Sequence, residues 1–212
     1  MEFINEELEK YAQAHSSDES PLLKKINRDT YANVLMPRML SGHLQGRFLA
    51  MIAGMIKPKN ILEIGTFTGY SAICLAEGLA EDGKLYTIDI NEELEDRVKG
   101  YFEEAGLSKK IVYYIGNAMQ VIPNLDVSFD MVFIDADKIN YAAYYHLVFD
   151  KVCKGGFIIA DNVLWSGKVV DSKKVDKDTQ ALMDFNDMVY NDERVEKVML
   201  PLRDGLTIIK KI

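Results

Sequence analysis

Cysteine and histidine are scarce in these 212 residues, with two of the first and three of the second. Cys74 and Cys153 make neither a disulfide framework nor a zinc spacing. His43 and His146 have no partner at the spacing of a metal site or a catalytic triad, and both read as structural. Long apolar runs are missing too. The longest, Phe48–Ile56, has nine residues, too few to cross a bilayer. The opening segment MEFINEELEK is acidic where a secretory signal would be basic and then apolar, so no export is expected and the cytoplasm is the default. The dinucleotide loop G-x-G-x-x-G does not occur, which disfavours an NAD-dependent dehydrogenase.

The rest is an ordinary globular mixture, 48% hydrophobic and 27% charged. A chain of this length buries roughly 70% of its unfolded surface and needs no covalent staple. We expect a single domain over residues 1–212, with N-terminal helices and a lid in 1–57 and an α/β core in 58–212. The net charge of −8 argues against a general nucleic-acid binder, but the charge is uneven. Residues 1–20 hold six acids and one base; in 21–60, Lys24, Lys25, Arg28, Arg38, Arg47, Lys57 and Lys59 face Asp29 alone. Those cations are either solvated helix faces or a basic surface for an anionic ligand such as a phosphate ester or RNA.

The patterning predicts helices at Asn5–His15 and Pro21–Asn33, the second capped by Ser20 and opened by Pro21. A third is expected over Gly42–Ile56, its apolar face made by Leu44, Phe48, Met51, Ile52 and Met55. After Pro58, short apolar runs alternate with amphipathic segments. Strands are predicted at Asn60–Ile64, Lys84–Ile88, Ile111–Ile115, Phe129–Ile134 and Gly156–Ala160, with helices between them at Tyr70–Leu79, Glu92–Ala105, Ala118–Ile122 and Tyr141–Val152. A last helix at Thr179–Tyr190 precedes strands Val195–Leu200 and Leu206–Lys210, which are close enough to form an antiparallel hairpin. This is an open, mostly parallel α/β sheet with one reversed strand at its edge, and ligands of such sheets lie beyond the carboxyl ends of the strands.

Those ends carry the chemistry. The first strand runs into Glu63, Gly65, Phe67, Gly69 and Ser71, a glycine turn of spacing G-x-x-x-G with an acid before it. A carboxylate there suits a ligand with a cationic end rather than a diphosphate. Asp89, ending the second strand, can accept both hydroxyls of a ribose or, alternatively, cap the helix that follows. The fourth and fifth strands deliver Asp135, Asp161 and Asn162 to one rim. A carboxylate cluster repels itself unless a cation is present, and three oxygen donors without His or Cys suit Mg²⁺, Mn²⁺ or Ca²⁺.

The segments LEIGTFTGYS, TIDI, FIDADKINY and ADNVLWSGKV resemble, in order, those of the cation-dependent, S-adenosylmethionine-dependent O-methyltransferases, a family that includes catechol and caffeoyl-CoA O-methyltransferases and bacterial relatives. The resemblance covers residues 35–212. It implies a Rossmann-like methyltransferase fold with a seven-stranded, mostly parallel sheet, one antiparallel edge strand, helices on both faces and extra N-terminal helices. It also implies that Glu63, Gly65, Phe67 and Ser71 hold the methionine end of the cofactor, Asp89 the ribose and Ala118 the adenine, with Asp135 near the cofactor and Met39 and Ser41 in a lid. Asp135, Asp161 and Asn162 match the metal ligands, and Lys138 the general base. Position 137 is Asp, as in caffeoyl-CoA-type and bacterial members, where the mammalian catechol enzyme has Trp. The N-terminal forty residues match neither eukaryotic subgroup.

The expected reaction is methyl transfer from S-adenosylmethionine to a catechol-like or other vicinal-oxygen hydroxyl, assisted by a divalent cation. The alternative acceptor is 5-hydroxyuridine in tRNA, with Lys24, Lys25, Arg28 and Arg38 on its phosphates. Trp165 and Tyr141 are candidate walls for a flat acceptor, and Gly167–Lys177 is either a substrate lid or a plain surface loop. A homodimer is expected, with no membrane contact.

Overall fold

The computed structural model describes residues 5–170 and 175–212. Helices α1 (Glu6–Ala14), α2 (Pro21–Asn33) and α3 (Gly42–Ile56) precede an alternating core of β1 (Asn60–Ile64), α4 (Tyr70–Ala76), β2 (Lys84–Asp89), α5 (Glu95–Glu104), β3 (Ile111–Ile115), α6 (Ala118–Val121), β4 (Phe129–Ile134), α7 (Tyr141–Phe149) and β5 (Val152–Asp161). Helix α8 (Lys177–Asn191) and the hairpin β6 (Val195–Leu200) and β7 (Leu206–Lys211) complete the chain. No helix among the described residues is long and apolar enough to cross a membrane.

The seven strands lie in the order β3-β2-β1-β4-β5-β7-β6. Strands β1 to β5 pair in parallel, while β7 pairs antiparallel with both β5 and β6. The reversed strand is therefore β7, one place in from the edge, and the edge itself is β6. Because successive side chains of a strand face opposite sides, each central strand feeds two cores. Leu62, Ile64, Val132 and Ile134 pack with α7 and α8 on one face. Ile61, Met131 and Phe133 pack with α2 to α5 on the other.

Two boundaries and one buried face differ from the patterning for local reasons. Helix α4 ends at Ala76, before Gly78 passes so close to α3 that a Cβ there would stand 2.3 Å from the Ala53 carbonyl carbon. Strand β5 starts at Val152, which pairs with Phe129 across an irregularity in the ladder. The patterning ends a helix at Val152 and opens the strand only at Gly156, because the Gly155-Gly156 pair interrupts the apolar run. Helix α3 buries Gln45, Gly46, Leu49 and Ala53, not the face predicted from its methionines, and Met51 and Met55 are 64% and 74% exposed. The N-terminal region also does more than cover the site: Leu23, Ile26, Leu49 and Ala53 are fully buried in the second core.

Candidate active site

A cavity of about 1380 Å³ opens along the carboxyl ends of β1, β2, β4 and β5. On the β1–β2 side it is lined by Gly65, Phe67, Ser71, Asp89 and Ala118, and on the β4–β5 side by Asp135, Lys138, Asp161 and Asn162. Met39 and Ser41 border it from the segment before α3. The sequence reading named all of these. Glu63 is the exception: it faces the second core, is fully buried and does not line the cavity.

The β1–α4 turn is shaped by backbone geometry. Gly65 has φ +103°, and a Cβ on it would lie 1.9 Å from the Asp135 carbonyl oxygen, so only glycine lets the two strand ends meet. Phe67, at φ +48°, aims its N–H at Asp89 Oδ2 (2.7 Å), and Asp89 Oδ1 accepts from Asn91 N at 2.9 Å. Asp89 is therefore not the helix cap; Asn91 is, accepting from Glu93 N. Beneath the turn, Glu63 Oε2 accepts from Thr87 Oγ1 at 2.5 Å, while Oε1 has no partner among the described residues. Burial, only partly opposed by hydroxyl hydrogen bonds, pushes the Glu63 carboxyl up to about 8.

The β4–β5 side is built from side chains that come from distant parts of the chain. The Lys138 ammonium, 8% exposed, donates to Asn162 Oδ1 at 2.6 Å, Tyr141 Oη at 2.8 Å and Asp135 Oδ1 at 3.2 Å. Tyr141 Oη in turn donates to the Asp161 carbonyl at 2.9 Å. Asp161 Oδ1 accepts from Asn162 N and Oδ2 from Gln45 Nε2, each at 2.6 Å. Arg203, from the β6–β7 turn, donates to the Ser41 carbonyl and to Gln45 Oε1. Burial first, and then the charge of Asp135, push the Asp161 carboxyl up to about 7, against the pull of Gln45 and Lys138. Asn162 holds φ +59°, a left-handed conformation that asparagine tolerates better than most residues.

Several expectations change here. Tyr141 is fully buried and does not line the cavity; it carries Lys138 instead of forming an acceptor wall. Trp165 does line it, with Tyr144 nearby, whose hydroxyl donates to Asp137 Oδ1 at 2.6 Å. The segment 165–170 is a kinked 3-10 turn, Lys168 borders the cavity and pairs with Asp176, and residues 171–174 of the anticipated loop lie outside the described residues. His43 bonds the Ser17 carbonyl and tethers the α1–α2 connection. The basic surface is partly neutralised: Lys24 pairs with Asp18, Lys25 with Glu104, Arg47 with Glu77 and Lys59 with Asp82. Arg28, Arg38 and Lys57 are exposed with no ion pair among the described residues, and Arg38 lines the cavity.

Gln45 and Arg203 were missed by sequence reading. A signal for Gln45 existed, since a lone amide sits in register with Leu49 and Ala53 on a helix apolar all round. Arg203 had none, because nothing in a five-residue turn announces a partner more than 150 residues away.

A doubly wound sheet with its cavity at the strand ends, a glycine turn and an acidic second-strand terminus is the arrangement of α/β proteins that bind a nucleoside ligand. The sequence profile of the O-methyltransferase family matches residues 13–212, and the chain belongs to that family. A probable caffeoyl-CoA O-methyltransferase of Dictyostelium discoideum is 32% identical over 214 residues, covering 98% of this chain and 93% of its own. An O-methyltransferase from Bacillus cereus, solved in complex with SAH, superposes with a TM-score of 0.90 at 30% identity, over 97% of each chain. The O-methyltransferase TomG from Streptomyces achromogenes, solved in complex with SAM, gives a TM-score of 0.90 at 28% identity, over 97% of this chain and 96% of its own.

Proposed function

We propose that the chain transfers the methyl group of S-adenosylmethionine to a hydroxyl of a small catechol-like or other vicinal-oxygen acceptor, with a divalent cation at Asp135, Asp161 and Asn162. The observation that carries this reading is the seat of Lys138. Oxygens of Asp135 and Asn162 converge on one buried cationic group, with Asp161 alongside. The ammonium is a stand-in ion, and a donor set of two carboxylates and an amide suits a hard divalent cation.

The methyl donor would lie over Gly65, Phe67 and Ser71 with its ribose on Asp89 and its adenine against Ala118, leaving the β4–β5 side for the acceptor. A phenolic hydroxyl has a pKa of about 10, so little oxyanion exists at neutral pH. A bound Mg²⁺ or Mn²⁺ would supply orientation and oxyanion stabilisation. The hydroxyl oxygen would attack the methyl carbon as the carbon–sulfur bond breaks and S-adenosylhomocysteine leaves. Lys138 would guide the hydroxyl proton as an ammonium, or take it once it had lost a proton of its own, and Trp165 and Tyr144 border the acceptor space. Holding both reactants at attack distance supplies much of the acceleration.

The test is methyl transfer to simple catechols before and after EDTA. Activity should vanish with chelation and return with Mg²⁺ or Mn²⁺, while S-adenosylhomocysteine binding stays nearly intact. Full activity after exhaustive metal removal would sink the cation assignment. A tRNA acceptor would need exposed cations beside the cavity: Arg38 is exposed, lines it and makes no ion pair among the described residues, whereas Lys24 and Lys25 pair with Asp18 and Glu104. Binding that falls steeply with salt would favour that acceptor. We further propose a homodimer, supported by the exposed apolar positions Leu35, Met51 and Met55. Sedimentation at micromolar concentration should show twice the 24.0 kDa chain mass; a single-chain species would refute it.

A further inference from the structure

We infer that, with no divalent cation bound, the ε-ammonium of Lys138 is the resident cation of the site, and that metal loading requires it to leave the Asp135–Asn162 pair. The inference rests on the divalent-cation reading above. An ammonium has three protons. Lys138 commits them to Asn162 Oδ1, Tyr141 Oη and Asp135 Oδ1. Two of these three acceptors are the oxygens that a divalent ion would coordinate, at roughly 2.0–2.6 Å. Ammonium and ion cannot share them, both for lack of room and because like charges repel at that range.

No other described cation takes this place. Lys138 is the only ion-pair partner of Asp135 among the described residues. Arg203 is turned to the Ser41 carbonyl and Gln45 Oε1, and Lys168 pairs with Asp176 at 3.0 Å. Asp161 is held by neutral donors, the Gln45 amide and the Asn162 N–H. Without the ammonium, the only positive charge among these groups acting on Asp135 and Asp161 would be Arg203, which stands behind Gln45. Lys138 Nζ lies 4.8 Å from the Tyr141 ring centroid and 5.8 Å from that of Trp165, which lines the cavity and which Lys168 Nζ also approaches at 5.4 Å. The Trp165 ring is thus a nearby seat that the displaced amine would share with Lys168. Displacement would thus carry the amine off its anchors toward the acceptor space. Loading the metal and freeing the lysine become one event; the displaced ammonium, released from its acceptors and beside the metal charge, can then give a proton to solvent, while the metal-free chain holds it locked.

Lys138→Met keeps the length and apolar stem and removes the charge. Mn²⁺ titrated alone, without donor or acceptor, should bind Lys138→Met about tenfold or more tighter than the native chain, by roughly 1.4 kcal/mol. Unfolding of the metal-free variant should also begin at lower temperature. A second measurement needs no variant: acetylation of Lys138 in the native protein, read by mass spectrometry against exposed Lys57, should rise at least severalfold when Mg²⁺ is added. Native-like Mn²⁺ affinity in the variant, or unchanged labelling of Lys138, overturns this inference and leaves the cation reading standing. Failure of both proteins to bind Mn²⁺ overturns both.

Discussion

At the ends of β1 and β2 the cavity presents a carboxylate, Asp89, whose two oxygens both accept backbone N–H groups within 22 residues of it. At the ends of β4 and β5 it presents Asp135, Asp161 and Asn162, held by Lys138, Tyr141 and Gln45, the last 116 residues away from its partner. The first arrangement is made between strand ends that are adjacent in the sheet and close in sequence. The second exists only once the whole sheet and the N-terminal helices are assembled. In the proposed reading one side would receive the neutral sugar of the methyl donor, and the other would exchange its ammonium for a metal ion.

The sharpest way to break this comparison is a matched pair of substitutions. Asp161→Ala should lower methyl transfer by about 10³-fold or more, since it removes a charged group from the proposed cation site, and should change S-adenosylhomocysteine affinity by less than about threefold. Asp89→Ala should do the reverse at the binding step, weakening S-adenosylhomocysteine by roughly 10- to 100-fold, as expected for lost hydrogen bonds to a charged group. Calorimetric titration beside a radiolabel transfer assay reads both. If the two variants lose binding and turnover alike, the halves are not separable. Gln45→Ala comes next. It leaves a buried Asp161 oxygen without its donor and should cost about 1–3 kcal/mol in denaturant unfolding, with turnover down roughly tenfold and cofactor affinity unchanged.

The smallest effect concerns pH. With its carboxyl raised by burial from an ordinary 4.5 to about 8, Glu63 keeps a proton in the folded chain that the unfolded chain has lost. The stability it contributes is full below about 4.5 and is lost as the pH rises through about 8. The ligand-free native chain should therefore lose stability between pH 5 and 8, and Glu63→Gln should flatten that slope. Parallel pH profiles for the two chains would remove Glu63 as its source.

The same contrast explains what could be read from the sequence. Strands β1 and β4 were legible to the residue because two-sided burial writes continuous apolar runs. Half-buried β3 is still a continuous apolar run, and exposed β6 was legible because Pro201 and the short turn to the last strand bound it. Asp89, Asp135, Asp161 and Asn162 were legible because an acid or amide ending such a run has only the rim to go to. Glu63 was misplaced because side-chain alternation puts it on the core face, beside Ile61, although its position in the motif suggested the cavity. Tyr141 was misplaced because an aromatic near a site reads equally well as a wall or as a support. The buried face of α3 was misread because apolar residues lie on most of its sides, while the tight packing of Gly46 against Tyr70 decides which side turns inward.

Arg203 fastens the carbonyl of Ser41 and the amide of Gln45 from a turn 158 or more residues downstream. The ribosome makes the two partners far apart in time. While the earlier strands are emerging, the segment around Ser41 has nothing to close against, and β7, which inserts beside β5, does not yet exist. Such high sequence separation slows folding and makes closure of the site one of its last events. A nascent chain would thus hold an open pocket and no competent catalytic centre until the final hairpin is in place.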